Sequence, residues 1–239
     1  MKASALVPAV LAGCAGEESE REGRAQTPET TTPADELPLA HVSKSPGEPT
    51  ADAPAVLLLH GLGGDERQLL PHAENLPDDL HVLGVRGPHS ATRNGYAWMG
   101  PGSKPFARSI ELLADFAERV PEAYGVDPER IGLFGFSQGA KAALAALVEE
   151  PERFRWAVSL NGFLPRGHDD ADTLARARGK SAFVGVGEKD SIIGPQYGEK
   201  SAARLDDAGL DVTFRSYPVS HRVSDAAVED VAEWLGPRR

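Results

Sequence analysis

The chain has 239 residues, 41% hydrophobic and 26% charged, which suits one globular domain with additional segments. A net charge of −11 with no block of Lys or Arg argues against a nucleic-acid partner. The only cysteine is Cys14, so no internal disulfide can form.

At the N-terminus Lys2 precedes the apolar run Ala3 to Ala12, too short to span a bilayer. It ends in Leu11-Ala12-Gly13-Cys14, which resembles the lipobox of bacterial lipoproteins, where the cysteine is diacylated and becomes the new N-terminus. Residues 1–14 are therefore expected to be a lipoprotein signal peptide and Cys14 a lipid anchor. The resemblance implies a membrane partner and a place in the bacterial cell envelope, facing the periplasm or exterior. An ordinary signal peptide or a misassigned start codon is the alternative. Residues 15–52 are charged, then Thr/Pro-rich, and are expected to be a disordered acidic tether. The tether carries a net charge of −6, so the folded part is only mildly acidic. Within it, only Leu37 to Ser43 offers a candidate edge strand.

The folded domain is expected over residues 53–239. Ala55 to Leu59 is a continuous apolar run, the pattern of a strand buried on both faces of a parallel sheet. An amphipathic stretch follows, then an apolar strand from Leu80 to Val85 and a loop from Arg86 to Gly102. Ile110, Leu113, Ala114, Ala117 and Val120 recur at helical spacing. Further strands are expected at Ile131–Phe136, Trp156–Leu160, Ala182–Val186 and Val212–Tyr217, with helices near Tyr197–Ala208 and Asp225–Leu235. Alternating strands and helices predict an α/β fold: a mostly parallel, doubly wound sheet with helices on both faces.

The stretch Gly135-Phe136-Ser137-Gln138-Gly139 joins a short apolar run to a helix-forming run, Ala140 to Val148. Strand, G-x-S-x-G, helix is the context of a nucleophile elbow. Side chains two before and two after the serine would collide in so tight a turn, and both positions are glycine. Serine needs a base and a group that orients it. Of the histidines, His221 follows the last strand and falls at a strand's C-terminal end, where ligands bind in open α/β sheets. The orienting acid belongs between serine and histidine in chain order. Asp190 is the first choice there and Glu188 the reserve. His168, in Arg166-Gly167-His168-Asp169-Asp170-Ala171-Asp172, reads as part of a solvated loop rather than a metal site; neither metal nor cofactor is called for. Oxyanion donors are expected from the backbone N–H groups of Gln138 and of Leu62, in the glycine-rich loop His60 to Gly64.

Six segments in order resemble the phospholipase/carboxylesterase family of α/β-hydrolases: His60-Gly61-Leu62-Gly63, Arg86-Gly87-Pro88, Gly95-Tyr96-Ala97-Trp98, Asp127-Pro128-Glu129-Arg130-Ile131, Gly135 to Gly139, and Gly162-Phe163-Leu164-Pro165. The family includes bacterial carboxylesterases and acyl-protein thioesterases. The resemblance, from about Ala55 to Leu235, implies a Ser137–Asp190–His221 triad and an oxyanion hole at Leu62 and Gln138. The chain departs from the family's pattern at Val186, Asn161 and Met99, and the last two are expected to alter the acyl pocket.

The interval from Ser137 to His221 leaves no room for a large lid domain. Trp98, Met99, Phe163, Leu164, Ile192 and Ile193 lie in loops at strand ends and are candidate pocket walls. The expected function is a serine carboxylesterase acting on short to medium acyl esters through an acyl-enzyme, with a small-molecule ester as substrate. A lysophospholipase or acyl-thioesterase is the alternative within enzymes, and a non-catalytic tethered binding lipoprotein the alternative outside them. Oligomeric state is left open.

Overall fold

A computed structural model of the protein describes residues 36–47, 52–91, 94–100 and 104–238. The signal peptide, Cys14 and most of the tether lie outside the described residues. The strands are β1 (His41–Lys44), β2 (Ala53–Leu59), β3 (His81–Val85), β4 (His89–Ser90), β5 (Tyr96–Ala97), β6 (Val126–Phe136), β7 (Trp156–Leu160), β8 (Ser181–Gly187) and β9 (Asp211–Tyr217). The helices are α1 (Lys104–Tyr124), α2 (Gln138–Glu149), α3 (Ala171–Arg176), α4 (Pro195–Asp207) and α5 (Asp225–Leu235), with a 3-10 helix at Leu70–Asn75.

Seven strands form one sheet in the order β1-β3-β2-β6-β7-β8-β9, parallel throughout except for β1, which pairs antiparallel with β3. This is the α/β-hydrolase type of architecture. β4 and β5 make a separate two-stranded ribbon. Every residue of β2 is buried because both sheet faces are covered. Ala55, Leu57 and Leu59 point into a core shared with α1, α2 and Leu205 of α4, while Val56 and Leu58 face the core built with α5 and the 3-10 segment. The five residues that set the helical spacing of α1, from Ile110 to Val120, are all buried.

Two boundaries differ from the sequence reading. Residues 41–44, inside the stretch assigned to the tether, form β1, with Leu39 buried just before it. The solvated loop around His168 contains a short helix, α3, capped by the Asp170 carboxylate accepting from the Thr173 N–H at 3.1 Å. Among the described residues no helix is long and apolar enough to cross a membrane.

The parallel strands all point one way, so the segments leaving β2, β6, β7, β8 and β9 emerge along one edge. Those segments begin with His60, Ser137, Asn161, Glu188 and Pro218.

Candidate active site

Ser137 sits at the tip of β6 with φ +55° and ψ −111°, a strained conformation sustained by its surroundings. Its N–H donates to the Leu160 carbonyl at 2.9 Å. A Cβ on Gly135 would run into the Gly139 carbonyl across the turn, as expected from sequence. Gly139 is needed for a different reason: its Cβ would strike the Leu59 carbonyl at the end of β2. The turn is thus pressed against the neighbouring strand as well as against itself.

The Ser137 Oγ lies 2.8 Å from Nε2 of His221, and Nδ1 of His221 lies 2.6 Å from Oδ2 of Asp190. A carboxylate on Nδ1 places the ring proton there and leaves Nε2 to accept from the serine hydroxyl. The Asp190 side chain is only 1% exposed. Its second oxygen accepts from the Ile192 and Ile193 N–H groups at 2.8 and 2.9 Å, so the carboxylate cannot swing. Glu188, the reserve acid, turns elsewhere: its Oε1 accepts from Ser216 Oγ at 3.0 Å.

On the other side of Ser137, Leu62 follows β2 in a loop where Gly63 has φ +79°. The Gly64 N–H closes that turn on the Gly61 carbonyl at 3.0 Å, and Gly63 and Gly64 exchange hydrogen bonds with Tyr96 of β5 at 2.8 Å each. Among the described residues, neither the Leu62 nor the Gln138 N–H donates to a protein acceptor. Gln138 heads α2, where the first backbone N–H groups have no intrahelical partner.

The side chains of His60, Gln138, Arg86 and Glu66 brace this region through pairings that the sequence reading does not contain. The buried His60 ring accepts at Nε2 from the Gly87 N–H at 2.9 Å, so Nδ1 carries the proton and donates to the Gly61 carbonyl at 2.7 Å. Burial pushes His60 below its ordinary value of 6.5, which favours that neutral ring. The Gln138 Oε1 accepts from the Trp98 and Met99 N–H groups at 2.7 and 3.3 Å. Arg86 forms a two-pronged pair with Glu66 at 2.7 and 2.8 Å, which holds the Glu66 carboxyl at about 2. No sequence signal marks these pairings, since the partners are 20 to 40 residues apart.

The candidate pocket residues do not behave as one wall. Trp98 is fully buried, its indole N–H donating to the His60 carbonyl at 3.0 Å, so it is a support for the loop and not an open pocket surface. Met99 packs against the same core, and Leu164 is a buried member of it. Phe163 stacks obliquely on Tyr197 beneath the Lys141 ammonium and, together with Leu164, lines a surface cavity of about 710 Å³, in which Ser137 takes no part. Ile192 is 72% exposed and Leu62 65% exposed, while Ile193 is half-buried. Asn161, expected to alter the pocket, instead sends its side chain to the loop carrying His221.

Among the described residues no three His, Cys, Asp or Glu side chains are grouped to hold a metal ion. The residues around His168 are drawn apart: His168 bonds to Glu149 at 2.8 Å, and Asp169 pairs with Arg204.

Residues 103–237 match the family described as Phospholipase/Carboxylesterase. The chain belongs to that family. Acyl-protein thioesterase 1 of Kluyveromyces lactis is 30% identical over 178 residues, covering 71% of this chain and 76% of the relative. Acyl-protein thioesterase 1 of Candida albicans is 27% identical, covering 76% and 90%. The crystal structure of the Bacillus cereus carboxylesterase superposes with a TM-score of 0.74 at 26% identity, covering 84% of this chain and 95% of that one. This member of the family is accordingly a serine hydrolase of the carboxylesterase and thioesterase type, on an α/β-hydrolase fold.

Proposed function

We propose that the protein is a carboxylesterase that cleaves short to medium acyl esters with Ser137 as nucleophile, His221 as general base and Asp190 as the residue that orients it. The observation that carries this reading is the unbroken hydrogen-bonded chain from Ser137 Oγ through His221 to the buried Asp190 carboxylate. His221 Nε2 takes the hydroxyl proton as Oγ attacks the acyl carbon. The tetrahedral oxyanion is received by the N–H groups of Leu62 and Gln138, each donor worth on the order of 10²–10³ in rate. His221 then returns the proton to the leaving alcohol, and water repeats the sequence on the acyl-enzyme.

Ser137→Ala is expected to abolish ester hydrolysis and fluorophosphonate labelling in a protein of unchanged circular dichroism. Turnover that survives in the folded variant would sink the serine mechanism. The similarity to acyl-protein thioesterases favours a second reading, in which the leaving group is a thiol. Parallel kcat/KM values for p-nitrophenyl esters of increasing chain length, an acyl thioester and a lysophospholipid decide among the substrate classes. A binding lipoprotein without turnover is the outcome if no ester reacts and Ser137 is not labelled.

The lipobox-like Leu11-Ala12-Gly13-Cys14 further supports an anchored protein of the bacterial cell envelope. Cys14→Ser should release it from the membrane fraction without changing kcat/KM. A wild-type protein found soluble and without incorporated palmitate would rule the anchor out.

A further inference from the structure

Asn161 is the first residue after β7, only 5% exposed, and it holds a left-handed φ of +52°. Its own N–H donates to the Gly185 carbonyl at 2.8 Å, which fixes where the side chain starts. The Oδ1 accepts from the Gly187 N–H at 3.0 Å. The Nδ2 donates to the Ser220 carbonyl at 3.4 Å and to the Arg222 carbonyl at 3.3 Å. Those two carbonyls flank His221 on either side. The same backbone is pinched by the Arg222 N–H donating to the Ser220 carbonyl at 2.8 Å, so His221 projects from the tip of a tight turn.

Gly187 opens the turn that presents Asp190, whose N–H returns to the Gly187 carbonyl at 3.1 Å. The two loops meet backbone to backbone: a Cβ on Gly187 would lie 2.6 Å from the Val219 carbonyl and 2.8 Å from that of Ser220. The Lys189 N–H also donates to the Val219 carbonyl at 3.0 Å. One carboxamide therefore touches the start of the acid's turn with its acceptor and both shoulders of the histidine's turn with its donors. The contacts admit only one orientation of the amide, because Oδ1 faces an N–H and Nδ2 faces two carbonyls. Aspartate has no donor for the carbonyls, and leucine has neither donor nor acceptor.

We propose that Asn161 is a positioning residue that locks the His221 loop against the Asp190 loop, so that the imidazole keeps both of its partners. It touches none of the reacting atoms and acts through His221. The proposal rests on the triad reading above. Displacing a catalytic group by about 1 Å can cost on the order of 10²-fold in rate. The donor bonds to the two carbonyls are long, so part of the restraint remains with the backbone contacts at Gly187 and Lys189.

The test uses Asn161→Leu, which keeps the shape without hydrogen bonds, and Asn161→Asp, which keeps the acceptor and removes the donors. With p-nitrophenyl acetate, kcat is expected to fall about 10- to 100-fold in both, with KM within about twofold. The rate of Ser137 labelling by a fluorophosphonate should fall in the same proportion. In a His221→Ala background, Asn161→Leu should cost nothing further, since the residue it positions is gone. A loss that persists undiminished in that background overturns the proposal, as does full activity in either folded variant. If Asn161→Leu fails to fold, Asn161→Asp carries the same comparison. Should His221→Ala itself retain activity, the triad reading fails; should it abolish activity while both Asn161 variants remain wild-type, only the positioning role fails.

Discussion

The two sides of Ser137 are built on different plans. The side proposed to receive the oxyanion, residues 60–68 with the ribbon beyond, is held by several side chains at once: His60, Gln68 on the Gly61 N–H at 2.7 Å, the Glu66–Arg86 pair, and Arg86 lying 4.4 Å over the Tyr96 ring. Among the described residues the histidine and acid side has no ion pair besides its own Asp190–His221 contact, and leans on backbone contacts with the Asn161 carboxamide between them. The oxyanion loop has glycines at 61, 63 and 64 and little intrinsic conformational preference, so its shape must be imposed from outside. The Asp190 and His221 loops leave directly from adjacent strands, β8 and β9, whose pairing runs to Gly187 and Tyr217 and already sets most of their spacing. A loop of glycines needs redundant clamps; two loops launched from paired strands need few.

That contrast can be broken most sharply on the acid side. Asp190→Asn is expected to lower kcat by about 10³–10⁴-fold, as the equivalent change does in another serine triad, because the amide stabilises the wrong ring tautomer. Glu188→Gln, two residues away, should stay within about twofold, since its carboxylate faces Ser216. Steady-state kinetics on one p-nitrophenyl ester checks both, and the reverse order of effects would move the orienting role to Glu188.

On the oxyanion side a single change should be felt less in rate and more in stability. His60→Phe removes both ring nitrogens at similar volume and strands the Gly87 N–H and Gly61 carbonyl. A loss of about 2–3 kcal/mol in denaturant unfolding is expected, with about a tenfold fall in kcat/KM. The pH dependence gives an independent check. A histidine whose folded value is depressed by burial binds fewer protons folded than unfolded, so stability rises with pH across that window. The His60 contribution is complete above about pH 6.5 and erodes as pH falls below it. His60→Phe should flatten that part of the stability curve; an unchanged slope would mean that the ring is not held neutral.

The smallest effect is expected from Glu66→Gln, whose partner Arg86 is one-third exposed and remains hydrated. The cost should be about 1 kcal/mol near neutral pH. Here the folded carboxyl lies below its ordinary 4.5, at about 2, so the contribution is present above pH 4.5 and lost as pH falls toward 2. The variant should lack that acid-side loss. If Glu66→Gln instead lowers kcat/KM as much as Asp190→Asn, the oxyanion loop has no redundancy and the comparison fails.

Much of the fold was legible because the information is local. The runs at 156–160 and 225–235 coincide with β7 and α5, since an apolar stretch between polar turns has few ways to bury itself. α3 was missed because six residues carry too little periodicity, and its one signal was the Asp170 cap. β1 was indicated only as a candidate at Leu37–Ser43, because an edge strand buries little and is pinned by its pairing with β3 rather than by its own composition.

For the site, residue order along the chain by itself indicated that a serine in a glycine-bounded turn, an acid and a histidine would each follow a strand of the sheet. Parallel strands deliver such residues to one edge whatever the details of packing. Only the tertiary structure decided which carboxylate faces the imidazole, that Trp98 is a buried support, and that Asn161 reaches the histidine loop. Those outcomes turn on the direction of single side chains and on hydrogen bonds between residues 26 to 61 positions apart, where local preference has no say.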